Sequence, residues 1–222
     1  MNVGTISRDI KTEMLVTESE LACATSIAQM EPLLAAVRKL GACGWMPAGS
    51  GNFSVRVDAQ SFAVTVSGCD KLNLVTSDLM LVDINGNALE QGRVPSAECL
   101  LHAHIYRRCN EVGCILHTHS ITQTLASLRY AELAEVKLSG YELLKAMQGY
   151  DSHLQTLRVP VVANDQHMPA LQAAIDPLLD QHSRAYLIAG HGMYCWGADV
   201  AAALRHAEAL DFMLECELKR YG

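Results

Sequence analysis

The sequence predicts an α/β fold, a single domain in which a central, largely antiparallel sheet is flanked by helices. Short alternating segments, typical of strands, are joined by turn signals, without the strict strand–helix–strand alternation of a doubly wound fold. Longer segments with helical periodicity lie between the strands and close the chain. The chain has 222 residues, 50% of them hydrophobic, which suits one domain with a full core rather than two.

The first half of the chain is predicted to contain one helix followed by strands. Residues 1–17 are predicted to be a loose tail before a domain over residues 18–222. A helix is predicted over residues 18–40, and Pro32 is expected to break or kink it. A glycine-rich turn then runs into a strand within residues 48–57, and further strands are predicted over residues 62–67, 79–84 and 88–90, the last two joined by a hairpin at Asn85-Gly86.

The second half is predicted to alternate helices and strands. A helix is predicted over residues 95–108, because Pro95-Ser96 suits a helix start. A short apolar run predicts a buried strand over residues 112–119. The remaining predicted helices cover residues 121–130, 141–147, 169–181 and 199–220, and the remaining strands cover residues 159–163, 185–189 and 193–196.

The composition argues against several classes of protein. The net charge of −7 disfavours a general nucleic-acid binder and a protein held on anionic membranes. No apolar run reaches about 18 residues, so no transmembrane helix is expected, and residues 1–13 lack the apolar centre of a signal peptide. The eight cysteines form no Cys-x-x-Cys pair, which favours free thiols in a reducing cytoplasm over a disulfide framework or a zinc ribbon.

The segment that organises the chain is Gly-Cys-Ile-Leu-His-Thr-His-Ser at residues 113–120. Residues two apart in a strand point to the same face, so His117 and His119 are expected to lean into one space at the strand end. Two imidazoles placed in this way suit a divalent metal such as zinc, iron, nickel or copper. Two surface histidines at the end of a core strand would give the same pattern, and a metal needs a third ligand.

A second His-x-His pair, His102 and His104, lies in the predicted helix over residues 95–108. Residues two apart on a helix diverge by roughly 200° and cannot easily share a metal. These two side chains are therefore interpreted as ordinary helix histidines and are not chosen as ligands.

A third ligand is available from Gly190-His191-Gly192, which follows the predicted apolar strand over residues 185–189. His191 is expected at a strand end, between glycines whose backbone can approach a ligand closely. An ordinary turn histidine would give the same pattern. With His117 and His119, His191 completes three protein ligands plus an open position, which is the stoichiometry of a catalytic zinc.

Two glycine- and serine-containing turns offer groups for a phosphate. Backbone N–H groups and short side chains come from residues 49–52 and from Ser67-Gly68. Lys71 and Ser96, the latter at a predicted helix start, add to this set. Such turns are usually only turns, so this pattern is weak by itself.

Two carboxylates are candidates for proton transfer. Glu98 and Glu142 each lie near the start of a predicted helix, and a carboxylate there is also favoured by the helix dipole alone. Cys99, next to Glu98, is by default a buried helix thiol.

Taken in order, these segments resemble the class II aldolase/adducin family over roughly residues 20–220. The matching segments are Gly-Ser-Gly-Asn-Phe-Ser at 49–54, Val-Ser-Gly at 66–68, Pro-Ser-Ala-Glu at 95–98, His-Thr-His-Ser at 117–120 and Gly-His-Gly at 190–192. Their joint order is far more specific than any one of them. Within the family, the dehydratases are the most similar members, through Glu-Cys at 98–99, Gly-Tyr-Glu-Leu-Leu-Lys at 140–145 and His-Gly-Met-Tyr-Cys-Trp-Gly at 191–197.

The resemblance implies a zinc-dependent lyase that removes water from 5-methylthioribulose 1-phosphate in methionine salvage, a route of amino-acid biosynthesis. It implies one zinc ion per subunit held by His117, His119 and His191, with Fe²⁺ as an alternative. It implies Glu142 as the acid/base and Cys99 near the substrate. It also implies a cytoplasmic homotetramer, with sites near subunit interfaces, whose partner is a phosphorylated ketose.

By the wider family's pattern, Asn52, Ser67, Gly68 and Ser96 would hold the phosphate. Ala97 departs from that pattern, because the family's aldolases often have a serine there. Glu98 keeps the carboxylate that those aldolases use as a base, so a class II sugar-phosphate aldolase or epimerase is the alternative. A non-catalytic, adducin-like interaction module is a third interpretation, which the presence of all three metal histidines disfavours.

Overall fold

The computed structural model describes residues 18–180, 182 and 184–220, and it describes side chains from residue 30 onward in those ranges. The predicted tail, residues 1–17, lies outside the described residues. In the part of the chain that is described, no helix has both the length and the apolar character needed to cross a membrane.

The described residues form one sheet with helices around it. The helices are α1 (Glu18–Ala42), α2 (Cys99–Arg108), α3 (Ile121–Arg129), α4 (Met168–Ile175) and α5 (Val200–Arg220). The strands are β1 (Asn52–Arg56), β2 (Ser61–Thr65), β3 (Leu79–Asp83), β4 (Cys114–Thr118), β5 (Glu135–Ser139), β6 (Thr156–Val162), β7 (Ala185–Ile188) and β8 (Gly192–Gly197).

All eight strands join in the order β3-β2-β1-β4-β8-β7-β6-β5. Neighbouring strands are antiparallel except β6 and β7, which are parallel. The predicted α/β class with a largely antiparallel sheet is therefore confirmed.

Helices cover both faces of this sheet. On one face, α1 and α5 pack against β1, β4 and β8, and Val37 and Leu210 belong to the shared apolar core. On the other face, α2 and α4 enclose a second apolar cluster that includes Ile115 and Trp196. Side chains alternate along a strand, so His117, two residues after Ile115, points toward the face covered by α2.

The strand register places four polar or aromatic side chains in one row. Asn52 pairs with His117, His117 with Tyr194, and Tyr194 with Tyr186. Directly paired residues have Cβ atoms about 4.5–5.5 Å apart, so neighbours along the row are in contact. The row crosses β1, β4, β8 and β7, in the middle of the sheet, and forms the base of the candidate site.

The predicted break at Pro32 is wrong, because α1 continues through it. A proline inside a helix removes one backbone hydrogen bond and costs about 3 kcal/mol or more. In α1 the residues that follow, including Leu33, Val37 and Leu40, are fully or almost fully buried against the sheet. This packing stabilises the helix more than the proline destabilises it.

The helix predicted over residues 95–108 begins only at Cys99. Pro95 pairs with Val66 in an isolated bridge, and the Ser96 N–H donates to the Thr65 carbonyl at 3.1 Å. The segment before α2 therefore extends the end of β2 before the chain turns into the helix.

The returning strand predicted at residues 88–90 is also wrong. After the turn at Asn85-Gly86, the backbone makes only one isolated bridge, between Val82 and Ala88. The Glu90 carboxylate accepts the backbone N–H of Leu81 at 2.8 Å. A side chain thus takes a hydrogen-bond position that a returning strand would occupy.

No strand is predicted at residues 135–139, where the structure has β5. Its alternation is clear in the structure, because Val136 and Leu138 are fully buried while Lys137 is exposed. Charged residues at an edge strand hide this pattern, since only two of the five residues face the core.

Candidate active site

Three imidazoles from two distant parts of the chain meet at the row of side chains, to which one of them, His117, belongs. The Nε2 atom of His117 lies 2.7 Å from Nε2 of His119 and 3.3 Å from Nε2 of His191. One possible ligand atom from each residue lies within 4.8 Å of the others. His117 is fully buried, whereas the side chain of His191 is 20% exposed. The cluster could bind a divalent metal on its open side.

Two of the three histidines, His117 and His119, are held in the form that binds metals. The Nδ1–H of His117 donates to the backbone carbonyl of Met193 at 3.0 Å, so its Nε2 lone pair faces the other two rings. Burial lowers the pKa of His117 to about 4, against the nearby Glu98 carboxylate. Burial, together with the other two imidazoles, lowers the pKa of His119 to about 3. Neutral imidazole is the ligand form.

Two glycines let the surrounding backbone approach these histidines. A Cβ atom on Gly192 would lie 2.2 Å from the Thr118 carbonyl oxygen and 2.8 Å from the ring of His119. Gly51 has φ +91°, and a Cβ atom there would lie 2.6 Å from the His117 carbonyl oxygen. Packing against β4 therefore explains both glycines without a phosphate.

Helix α3 follows the turn that carries His119 and is hydrogen bonded to the turn that carries His191. Its N-cap is Ser120, whose hydroxyl accepts the Gln123 N–H at 3.0 Å. Further along, the Thr124 hydroxyl donates to the His191 carbonyl at 3.2 Å, and the Ser127 hydroxyl accepts the Gly190 N–H at 2.9 Å. One short helix thus fixes the backbone on both sides of the histidine cluster.

The long helix α5 anchors the start of α3 through a buried carboxylate. The Ser120 hydroxyl donates to Asp211, and the Gln123 side-chain amide donates to the same oxygen of Asp211 at 3.0 Å. The Gln123 side-chain oxygen in turn accepts the Thr118 hydroxyl at 2.9 Å. Asp211 is 8% exposed, so this network is shielded from water.

Glu98 is the carboxylate that meets the histidines. Its Oε2 lies 3.2 Å from Nε2 of His117, and its Oε1 lies 3.3 Å from Nε2 of His191. Oε2 also accepts the Tyr194 hydroxyl and the Asn52 side-chain amide, both at 2.7 Å. Of the two predicted proton-transfer groups, Glu98 is the one placed within contact of the cluster.

Burial alone would raise the pKa of the Glu98 carboxyl. The imidazole of His117, the two hydrogen-bond donors and the imidazole of His191 outweigh burial and lower this pKa to about 2. The carboxylate is therefore ionised at neutral pH, which suits a group beside a cation site.

The segments predicted to hold a phosphate lie in two places. Asn52 lies beside His117 in the row, with both ends of its side-chain amide hydrogen bonded. Ser67-Gly68 and Ser96 lie side by side at the end of β2, where the Ser67 N–H donates to Val94 at 3.0 Å. Lys71 begins a short 3₁₀ turn after them. Their phosphate-binding roles stay predictions.

Among the described residues, neither Cys99 nor Glu142 is hydrogen bonded or ion paired to the three imidazoles. Cys99 is 3% exposed in the second apolar cluster, and burial raises the pKa of its thiol to about 12. Glu142 begins a 3₁₀ turn after β5, is 73% exposed, forms an ion pair with Lys145, and has its Oε2 3.8 Å from Nδ1 of His153. Three strands separate β5 from β4, about 19 Å across the sheet at 4.8 Å per strand.

Two residues at the site, Tyr194 and His102, are not among the site residues that the sequence predicts. Tyr194 reaches Glu98 because the register of β4 and β8 places it beside His117, and register cannot be deduced from local spacing. His102, interpreted as an ordinary helix histidine, is fully buried and hydrogen bonded to Asn52 and Ser54. Its spacing of four residues from Glu98 was the available signal.

The comparison with protein families identifies the class to which this fold and site belong. The family model described as "Class II Aldolase and Adducin N-terminal domain" matches residues 31–218. The chain therefore belongs to the class II aldolase/adducin family.

Curated relatives include the methylthioribulose-1-phosphate dehydratases of Xylella fastidiosa (strain 9a5c) and Xanthomonas euvesicatoria pv. vesicatoria (strain 85-10). The first is 52% identical over 187 residues, which are 84% of this chain and 86% of that protein. The second is 52% identical over 188 residues, 84% of this chain and 87% of that protein.

Solved structures share the fold at lower identity. An L-fuculose-1-phosphate aldolase from Thermus thermophilus is similar with a TM-score of 0.70 and 25% identity, over 87% of this chain and 95% of that chain. A sugar-phosphate aldolase from Thermotoga maritima is similar with a TM-score of 0.63 and 20% identity, over 86% of this chain and 94% of that chain.

Proposed function

We propose that this protein is a metal-dependent hydro-lyase that dehydrates 5-methylthioribulose 1-phosphate to 2,3-diketo-5-methylthiopentyl 1-phosphate in methionine salvage. The observation that carries the chemistry is the convergence of His117, His119 and His191 on one point beside the Glu98 carboxylate. The choice of substrate is supported by the curated relatives, which are 52% identical over most of both chains.

The metal that best suits this donor set is Zn²⁺, one per subunit. Three neutral imidazoles that leave an open coordination position form a typical catalytic zinc site, and Fe²⁺ is the alternative that imidazole also accepts. When bound, such an ion supplies Lewis-acid chemistry, which acidifies a proton next to a ketone. His117, His119 and His191 would hold it.

The protein's own acid/base groups would carry the protons of the reaction. Dehydration removes the C3 proton of the ketose and protonates the departing C4 hydroxyl, and the resulting enol relaxes to the 2,3-diketone. Glu98 contacts His117 and His191, and it is therefore the carboxylate proposed to accept a proton from a substrate bound beside the cluster. Glu142, which family resemblance favours as the acid/base, is exposed, so its part in the reaction needs a closed or assembled enzyme.

A homotetramer is proposed for the assembled enzyme. On α3, Ile121, Leu125 and Leu128 are 79%, 51% and 56% exposed and recur at helical spacing. Exposed apolar stripes of this kind often mark protein interfaces. Leu128 also packs against Gly190, beside His191, so a subunit placed on this stripe would border the site. Light scattering of the purified protein measures the number of subunits.

The cytoplasm is the proposed compartment, and a phosphorylated ketose is the proposed partner. The cysteines whose side chains the structure describes are free thiols: Cys43, Cys69, Cys99, Cys109, Cys114, Cys195 and Cys216. Free thiols are typical of a reducing compartment. Neither nucleic acid nor a membrane is proposed as a partner, in keeping with the net charge of −7.

One assay tests the proposed function. The purified, metal-loaded protein is given 5-methylthioribulose 1-phosphate, and the diketone is followed by its absorbance. Formation of the diketone with one metal per subunit is the expected result. Release of an aldehyde from a ketose phosphate would instead indicate an aldolase, and a protein that binds no metal and converts neither substrate would favour the adducin-like interaction module.

A further inference from the structure

A row of polar side chains runs from Glu98 into the interior between α2 and β1. Glu98, His102 and Tyr106 recur at every fourth residue along α2 and its N-cap. Asn52 and Ser54, two residues apart on β1, alternate with them. The two spacings match, because four helical residues rise about 6 Å and two strand residues rise about 6.7 Å.

These five side chains form one continuous hydrogen-bond chain. Asn52 Nδ2 lies 2.7 Å from Glu98 Oε2, and Asn52 Oδ1 is hydrogen bonded to Nε2 of His102. Ser54 Oγ lies 2.7 Å from Nδ1 of His102 and 2.9 Å from the Tyr106 hydroxyl. The four members behind Glu98 are at most 4% exposed, so water does not compete for their hydrogen bonds.

The donor and acceptor chemistry of these side chains fixes the direction in which the hydrogen bonds run. The amide nitrogen of Asn52 can only donate, and it faces a carboxylate, so the amide oxygen faces His102 and accepts. His102 therefore carries its proton on Nε2. Its Nδ1 accepts the Ser54 hydroxyl proton, and the Ser54 oxygen is left to accept from Tyr106. Every donor points toward Glu98.

We propose that His102 is a positioning residue: as the neutral Nε2–H tautomer, with its Nδ1 accepting the Ser54 hydroxyl, it orients the Asn52 amide to donate to Glu98 Oε2. With the Tyr194 hydroxyl on the same oxygen at 2.7 Å, Oε2 is engaged by two donors. Oε1, 3.3 Å from Nε2 of His191, is then the oxygen that remains for substrate or proton. What Oε1 does rests on the proposed function, whereas the tautomer does not.

If the hydrogen bonds ran in the opposite direction, His102 would be protonated on its other nitrogen. That direction would turn Asn52 Oδ1 toward Glu98 Oε2, and two acceptors 2.7 Å apart repel each other unless the carboxyl carries a proton. His102 would then carry its proton on Nδ1 and donate to Ser54. The two directions therefore differ in which nitrogen of His102 is protonated.

Nitrogen NMR of the histidine-labelled protein, as purified and at neutral pH, distinguishes the two tautomers. In the wild type we expect Nε2 of His102 to be protonated and Nδ1 to be unprotonated. The signal missing from His102→Gln assigns the resonance. Ser54→Ala removes the hydrogen-bond partner of Nδ1 and is expected to leave the proton on Nε2, because the Asn52 amide oxygen still faces that nitrogen. A proton on Nδ1 in the wild type would overturn the proposal, whatever the activity of the enzyme.

A matched pair of variants tests the effect on the reaction. The longer His102→Gln places an amide nitrogen near the position of Nε2 and keeps the donation to Asn52, whereas the shorter His102→Asn loses it. We expect His102→Asn to lower kcat roughly 10- to 100-fold with KM changed less than about threefold, and His102→Gln to stay within about threefold of wild type. His104→Asn, on the same helix and paired with Asp176, is the control.

Equal losses of kcat in His102→Gln and His102→Asn, at wild-type melting temperature and metal content, would contradict the proposal. A wild-type enzyme that does not dehydrate the substrate would contradict the proposed function instead. The NMR measurement then still decides the direction of the hydrogen-bond chain, because it needs no turnover.

Discussion

The phenol ring of Tyr194 stacks on the imidazole of His117, with ring centroids 4.1 Å apart and planes at 16°. The same residue donates its hydroxyl to Glu98 at 2.7 Å. The register of β4 and β8 produces both contacts, since it places the two residues directly opposite each other. One aromatic side chain thus fixes the ring of a candidate metal ligand and the orientation of the candidate base.

Tyr194→Phe should keep the stacking on His117 and lose the hydrogen bond to Glu98. Hydrogen bonds to charged groups contribute about 1.5–3 kcal/mol, so we expect kcat/KM to fall at least about tenfold while metal content stays at one per subunit. Tyr186→Phe is the matched control, because the buried hydroxyl of Tyr186 has no hydrogen-bond partner among the described residues. Equal effects of the two substitutions would contradict the role of the Tyr194 hydroxyl.

Replacing one histidine of the cluster should release the metal. His117→Ala and His191→Ala each leave two protein ligands, which is too few for a stable zinc site, so we expect well below one metal per subunit by elemental analysis after dialysis. His104→Ala, which removes a helix histidine paired with Asp176, should keep the metal. Stoichiometric metal in His117→Ala would show that the ligand set is different.

Amide substitutions test the catalytic roles of the two predicted carboxylates, Glu98 and Glu142, one at a time. Glu98→Gln should lower kcat by at least about 100-fold, because the carboxylate beside the cluster can no longer accept a proton. Glu142→Gln tests the residue that family resemblance favours, and it should abolish dehydration while metal stays bound. Glu135→Gln, another acid paired with basic neighbours on the protein surface, is the control. Full activity in Glu142→Gln would remove Glu142 from the mechanism.

The buried carboxylate of Asp211 should stabilise the turn that carries His119. Asp211→Ala leaves the Ser120 hydroxyl and the Gln123 amide without their acceptor, and an unsatisfied buried group costs about 1–3 kcal/mol. We expect this loss in the free energy of unfolding measured with urea, together with faster loss of metal to a chelator. Asp211→Asn keeps the accepting oxygen and should change both quantities much less.

The stability of the metal-free protein should fall as the pH falls below about 6.5. His206 donates its Nδ1–H to the Trp196 carbonyl and accepts the Gln148 N–H, and burial lowers its pKa. Below an unfolded pKa of about 6.5 the unfolded chain takes up this proton first, so stability is lost as pH falls toward the folded pKa.

The measurement is the free energy of unfolding in urea at a series of pH values. His206→Gln should reduce the pH slope by up to about 1.4 kcal/mol per pH unit, the contribution of one proton. His167→Gln, at an exposed position, is the control. An unchanged slope in His206→Gln would mean that another group controls the acid side of the stability curve.

The elements with strong local patterns could be predicted from the sequence, and those that depend on distant partners could not. The apolar run predicts β4 directly. The side chains of His117 and His119, two residues apart, meet as the strand spacing predicts. The returning strand at residues 88–90 fails because the Glu90 side chain takes the Leu81 N–H. No local sequence pattern predicts that a side chain will replace a backbone acceptor in this way.

The candidate site shows the same division. His191 is predicted from its two glycines, and the close approach of Gly192 to Thr118 supplies a physical reason for one of them. The contacts of Glu98 with Asn52 and Tyr194 join residues 46 and 96 positions apart. They depend on how α2 lies over the sheet, and only the folded chain contains that information.

The division of labour between the two oxygens of Glu98 has an evolutionary consequence. The inward oxygen, Oε2, is held by donors from strands β1 and β8, whereas the outward oxygen, Oε1, is left free for the proposed reaction. We therefore expect relatives that cleave a carbon–carbon bond and relatives that eliminate water to differ mainly at the rim that substrates touch. Sequence drift among functionally distinct descendants should accumulate at that rim, while the interior donors persist unchanged.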